Sequence, residues 1–351
     1  MKQLRTSLRV ALSVCAVTLP VLVGCSFSLT ERMLCADAGS CTPTPPVVDM
    51  TVPPDLLNPR TDPNEAGPFQ VASQELTVPT TLGLAQNKLT LVWPSDDGMT
   101  PSTKNPSYPL VVMLPAQSLP IVQLRSYADR LASHGIATAL VKVSDERKQV
   151  GYRDSVLALL PHLTQSSEIK DKLIADHVGI FGYQLGGEVA LSALSKTKLA
   201  IRSALVIDPV AVLSYVEPLD GLADAASISQ GQDAPLMILG ELISKVSSEP
   251  GISPCTPPGA NFEAFYDRTG GSAAAITFGG ATLGDFVSAY PDSCGLASAD
   301  RATTLRLAVK LTTAYFQWTL LGKDAAKDYL FGSSWNLDRS RYGLDQVKKG
   351  L

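Results

Sequence analysis

Residues 178–191 read VGIFGYQLGGEVAL, an apolar strand that turns sharply into a helix. Gly182, Gly186 and Gly187 fit a tight turn in which the helix packs close to the strand. In a Gly-x-Ser-x-Gly turn of this kind, the central side chain is a nucleophile that a histidine deprotonates. Here the centre is Gln184, between Tyr183 and Leu185. An amide is not a nucleophile and has no proton to give up near neutral pH.

The partners such chemistry needs are thin on the ground. The chain has 3 histidines, His134, His162 and His177, and none lies beyond His177. A general base placed after the last strand would fall in GGATLGDFV, which holds no histidine. His134 precedes Gly135 at a predicted helix end, where it can meet the terminal carbonyls. His162 follows Pro161 in a helix, and His177 begins the strand leading to the turn, at its far end. All three read as structural or surface residues. Asp208 and Glu241 each end a strand on the carboxyl edge of the sheet, where a triad acid would stand. With no histidine to orient, neither has that role, and Asp208 reads as a cap for the turn at Pro209. Ser118 and Ser192 are the other hydroxyls near the turn, and neither has a visible base. No Cys/His spacing matches a metal site, and nothing calls for a cofactor.

The elements that must position these residues follow from patterning. FQVASQELTV and KLTLVWP alternate as strands, and YPLVVMLP is apolar throughout, as a central strand is. VQLRSYADRLASHG is an amphipathic helix that stops at Gly135, IATALVKV the next strand, and YRDSVLALLPHLTQSS a helix that Pro161 ends or kinks. RSALVIDPV, APLMILGE and SAAAITFG are further strands, and DRATTLRLAVKLTTAYFQWTLLG is a long helix expected to close the fold. Strands alternate with helices from Tyr108 onward. The expected class is α/β, with a mainly parallel central sheet, helices on both faces and an antiparallel N-terminal edge.

Several segments, taken in order, resemble α/β-hydrolases of the branch that holds chlorophyllases and bacterial polyester hydrolases or cutinases. They are YPLVVMLPAQSL at the oxyanion loop, YADRLASHGIATALV, the turn GIFGYQLGG, VIDPV, and SPCTPPGANFEAFYD. The resemblance runs from about Phe69 to Gly322. It implies an ester-hydrolysing fold with the nucleophile at Gln184, the histidine at Leu283, next to a retained Asp285-Phe286, and the acid at Asp208 or Glu241. It also puts Pro115 and Ala116 where an oxyanion-loop histidine is followed by glycine, with Gln117 next. Backbone N–H groups of Gln117 and Leu185 remain available to hold a carbonyl or anion without reaction.

The rest of the chain bears on location. Lys2, Arg5 and Arg9 precede an apolar run, Val10–Val23, that closes on Leu22-Val23-Gly24-Cys25. That order predicts a lipoprotein signal over 1–24 with the lipid on Cys25. Loss of the signal removes three basic groups, leaving 26 against 33 acids and moving the charge from -4 to -7. Attachment to a membrane would then rest on acyl chains, not basic residues. Nucleic acid is excluded as a partner by the lack of any basic stripe. Residues 25–68, rich in Pro and Thr, are expected as a disordered tether, and 69–351 as the folded domain. Ser26 is not the aspartate that retains lipoproteins at the inner membrane, so the bacterial cell envelope, at its outer membrane, is the expected location. Export permits disulfides among Cys35, Cys41, Cys255 and Cys294. Four cysteines allow three pairings, the simplest being Cys35–Cys41 with Cys255–Cys294.

The functional expectation is a membrane-anchored pseudoenzyme that holds a small-molecule ligand in the old cleft. Gln117, Tyr183, Gln184, Leu185, Asp208, Glu241 and Leu283 would line it. The alternatives are an active carboxylic ester or polyester hydrolase with a non-standard site, and an interaction protein whose cleft is plugged by Leu283 and Tyr183.

Overall fold

The computed structural model describes residues 62–351, apart from 117–118, 146–147, 212–223, 225–234, 246–253, 290–293 and 296. The expected signal, Cys25, Cys35, Cys41, the tether up to residue 61, and Gln117 and Ser118 lie outside the described residues.

Nine strands form one sheet in the order β1-β2-β4-β3-β5-β6-β7-β8-β9. β1 (Gln70–Thr77) and β2 (Lys88–Ser95) pair antiparallel, and β2 is antiparallel to β4 (Ala137–Leu140). From β4 through β3 (Tyr108–Leu114), β5 (Leu173–Tyr183), β6 (Ile201–Ile207), β7 (Leu236–Glu241) and β8 (Ala273–Phe278), every pairing is parallel. The apolar run YPLVVML is buried at every position, as a strand covered on both faces must be. β4 lies on one side of β3 and β5 on the other, so strand order reverses there. Connections leaving β3 and β5 diverge, and a crevice opens at their carboxyl ends.

The helices that cover the sheet are α1 (Arg125–Ser133), α2 (Gln149–Pro161), α3 (Leu185–Lys196), α4 (Phe262–Arg268) and α5 (Arg301–Leu321). α2 ends at Pro161 and widens into a turn over His162–Ser166, as the missing N–H of proline requires. α5 packs against α1, β5 and β6. Among the described residues, no helix is long and apolar enough to cross a membrane.

Two expectations about the ends of the domain need correction. The long helix α5 does not close the fold: α6 (Asp328–Phe331), α7 (Ser333–Tyr342) and β9 (Leu344–Lys349) follow, and β9 pairs antiparallel with β8. Its sequence, LDQVKK, has little apolar alternation because it is a half-exposed edge strand, where lysines discourage further pairing. At the other end, the segment before Phe69 is not all tether. Pro63 O accepts from Arg130 Nη1 at 3.2 Å and Gly67 N donates to Ser133 Oγ at 3.0 Å. A Cβ on Gly67 would stand 2.0 Å from Ser133 O, so the chain passes directly over the end of α1. Pro- and Gly-rich composition forbids a regular element but not close packing.

Cys255 and Cys294 are bonded, with Cα atoms 5.6 Å apart and a sequence separation of 39. They join the loop after β7 to the loop after β8. Closing a loop of that length contributes about 4 kcal/mol in the chain-entropy account.

Candidate functional site

The turn between β5 and α3 keeps the backbone of a nucleophile elbow. Gln184 sits at φ 51° and ψ -114°, a conformation that strains any residue with a Cβ. Its N–H donates to Ile207 O at 2.8 Å and its carbonyl accepts from Gly187 N at 2.9 Å, which starts the helix. The glycines are sterically required. A Cβ on Gly182 would lie 2.4 Å from Gly186 O, and one on Gly186 would lie 2.2 Å from Leu114 O. Gln184 is half-buried, and its side-chain amide has no hydrogen-bond partner among the described residues. Leu185 is buried in the first turn of α3, where a helix leaves backbone N–H groups free.

The loop that would carry the histidine is also intact, without its histidine. Leu283–Phe286 form one helical turn fixed by a reciprocal cap. Asp285 Oδ2 accepts from Thr282 N at 2.7 Å and from Thr282 Oγ1 at 2.9 Å, while Asp285 Oδ1 faces Arg301 Nε at 3.3 Å. Leu283 is fully buried. Its N–H donates to Ser244 Oγ at 3.1 Å and its carbonyl accepts from Tyr183 OH at 2.7 Å. Tyr183, also fully buried, therefore ties the elbow strand to the histidine position through its hydroxyl and the Leu283 carbonyl.

Two acids stand side by side at the carboxyl ends of β6 and β7. Asp208 does not cap the turn at Pro209: its Oδ1 accepts from Glu241 N at 3.1 Å on the neighbouring strand. Its backbone is at φ 42°, its N–H is held by Leu239 O at 2.8 Å, and that geometry turns the carboxyl toward β7. Asp208 Oδ2 is buried without a partner among the described residues. Glu241 is better served, accepting from Ser244 N at 2.8 Å and Thr256 Oγ1 at 3.4 Å. Burial pushes both carboxyls above their ordinary range, and the charge of Glu241 pushes Asp208 further. The pair holds a proton more readily than two exposed carboxylates would.

The histidines are all at the opposite, amino edge of the sheet. His134 caps α1, with Nδ1 2.9 Å from Gln317 Nε2 and Nε2 3.0 Å from Glu65 O. His177 Nδ1 is 2.9 Å from Asp176 Oδ1 at the start of β5, and His162 lies in the turn before that strand. Ser192 is fully buried, and its hydroxyl donates to Asp224 Oδ2 at 2.5 Å. Asp224 Oδ1 meets Lys196 Nζ at 2.6 Å, so this serine serves an anchored ion pair.

Among the expected cleft residues that are described, the structure thus brings Tyr183 to Leu283 and Asp208 to Glu241. It leaves Gln184 the one with partial exposure. Ser244, Thr256 and Thr282 were not foreseen. Thr282-x-x-Asp285 is legible as a capping-box pattern. Ser244 and Thr256 carry no such signal, because only the fold brings them to Glu241.

Sheet order, elbow and acid position together define an α/β-hydrolase-like domain. The chlorophyllase family model matches residues 64–279, well over half of the 351, and the chain belongs to that family. No curated protein matches the chain.

Proposed function

We propose that this chain is a lipid-anchored envelope protein whose hydrolase-like domain binds a ligand at the elbow without hydrolysing esters. One observation carries the reading. The strained elbow persists at Gln184, and it presents a half-buried, unpartnered amide where a nucleophile would stand. That amide offers both a donor and an acceptor, which suits an amide- or sugar-like ligand. The replacement of nucleophile and base together supports loss of turnover, because neither Gln184 nor Leu283 can take part in proton transfer. The anchor rests on the order of charge, apolar run, Gly24 and Cys25 in the first 25 residues, and Cys25→Ala should release the chain from membranes.

A second reading, an ester or polyester hydrolase with a non-standard site, draws on family membership. Ser192 does not favour it, being buried and committed to Asp224. The plugged-cleft reading draws on Tyr183 and Leu283, both buried and bonded to each other.

The test compares the chain from residue 26 onward with Gln184→Ala and with Gln184→Ser/Leu283→His, by fluorophosphonate labelling and short-chain ester hydrolysis. The expected result is no labelling or turnover in the parent, with any activity confined to the double variant. Parent turnover that survives Gln184→Ala would refute the proposal.

A further inference from the structure

A second cleft lies away from the elbow, between the β8–α5 connection and the C-terminal α7–β9 unit. Its volume is about 310 Å³, and it is open on one side. That is at the lower end of the range, roughly 300–1,000 Å³, of small-molecule sites. Most of what builds it, α5, α7 and β9, lies beyond residue 279, where the family match stops. Its walls are apolar, with Phe278, Leu307 and Leu344 all buried behind the surface.

Three polar groups give this cleft a chemical sense. Arg341 on its rim is exposed, with its guanidinium carbon 5.3 Å from the centroid of the Tyr342 ring. No described residue pairs with its charge. Asp300, the acid on the same rim, is already committed. Its carboxylate caps α5, accepting from Thr303 N at 2.8 Å, and that hydrogen bonding holds it below its ordinary range. Thr304 is 2% exposed, yet its hydroxyl has no hydrogen-bond partner among the described residues. Unlike Asp208 Oδ2, the Thr304 oxygen is not sealed from solvent, so it stands open to a hydrogen bond from a group in the cleft.

We infer that this cleft binds a small hydroxylated aromatic or short-chain carboxylate. Its carboxylate lies on Arg341, its apolar body on Leu307 and Phe278, and its hydroxyl on Thr304. A guanidinium free of protein carboxylates is a receptor for a carboxylate of the ligand. The Tyr342 ring, flanked by Arg306 and Arg341, gives the guanidinium a rigid backing.

The test is calorimetric titration of the chain from residue 26 onward with 4-hydroxybenzoate, benzoate and 4-hydroxybenzyl alcohol. Arg341→Gln, on an exposed side chain, should weaken both carboxylates by about tenfold or more and leave the alcohol unchanged. Thr304→Val should reduce 4-hydroxybenzoate to the affinity of benzoate. Gln184→Ala should change none of the three, which separates this site from the one proposed at the elbow. Absence of 4-hydroxybenzoate binding, or equal binding by parent and Arg341→Gln, would overturn the assignment.

Discussion

His134 and Asp208 are both buried ionisable side chains, 1% and 0% exposed, at opposite edges of one sheet. At the amino edge, both ring nitrogens of His134 are paired. The His134 ring accepts from Gln317 and donates to Glu65 O, so the neutral ring is the form the fold selects. At the carboxyl edge, Asp208 holds one oxygen unpartnered beside a second carboxyl, on a backbone at positive φ. At the end of the neighbouring strand β5, Gln184 is strained as well. The first edge is arranged for stability. The second carries costs that packing alone does not explain, and such costs gather where a fold has held, or still holds, a site. The difference points to the carboxyl edge as the place to look for a site.

The largest expected effect tests the stable edge. Burial lowers His134 from 6.5 to about 4, and nearby Lys323 and Arg130 push the same way. Between those values the unfolded chain takes a proton that the folded chain refuses. The stabilisation is complete above pH 6.5 and drains away as pH falls toward 4, for a total of about 3 kcal/mol. Denaturant titration of parent and His134→Gln across this range should show the parent losing that much more than the variant. Parallel pH profiles would mean that the His134–Gln317 contact does not select the neutral ring, and the contrast between the edges would collapse.

The next effect has the opposite sign and tests the costly edge. Asp208 has its carboxyl raised by burial first and by Glu241 second. Its neutral form suits the fold, so stability is full below pH 3.8 and declines as pH rises, while the unfolded chain sheds the proton that the folded chain keeps. Asp208→Asn preserves an oxygen for Glu241 N–H and removes the titration. It should raise stability at pH 7, with the gain vanishing below about pH 4. Destabilisation at pH 7 would show that the carboxyl is structural, like His134.

Much of this contrast was legible in the sequence, and the illegible part has physical causes. The spacing Gly182-x-x-x-Gly186 marks an elbow whatever sits at its centre, because backbone approach, not chemistry, demands the glycines. The fully apolar β3 and the periodic α1 are local signals of burial, and they placed the acids at strand ends on the correct edge. The polar strand β9 gave no such signal, nor did the docking of residues 63–68, since both are held by partners remote in sequence. The same holds for the network around Glu241. Ser244 and Thr256 are ordinary loop hydroxyls until β7 and the disulfide-linked loop bring them to one carboxylate. Residue type also misled at Asp208, which reads as a local turn cap but bonds across to the next strand.

The smallest effect is the sharpest, because it separates strain from chemistry. An elbow at φ 51° and ψ -114° costs about 1–3 kcal/mol for a residue with a Cβ. Glycine escapes that cost but loses roughly 0.5–1 kcal/mol more backbone entropy on folding. With the strain at the lower end of that range, Gln184→Gly should be neutral or stabilising by up to about 1 kcal/mol. The same change at Gln74, exposed in the regular strand β1, meets no strain to relieve and should destabilise by about 1 kcal/mol. Chemical denaturation of the two variants beside the parent reads the difference directly. If Gln184→Gly loses as much as Gln74→Gly, the glutamine side chain is itself holding the turn, and the carboxyl edge is not the strained one. If it loses nothing, the elbow has kept a costly conformation with no nucleophile to justify it, and a ligand that meets the Gln184 amide becomes the reason to expect that it persists.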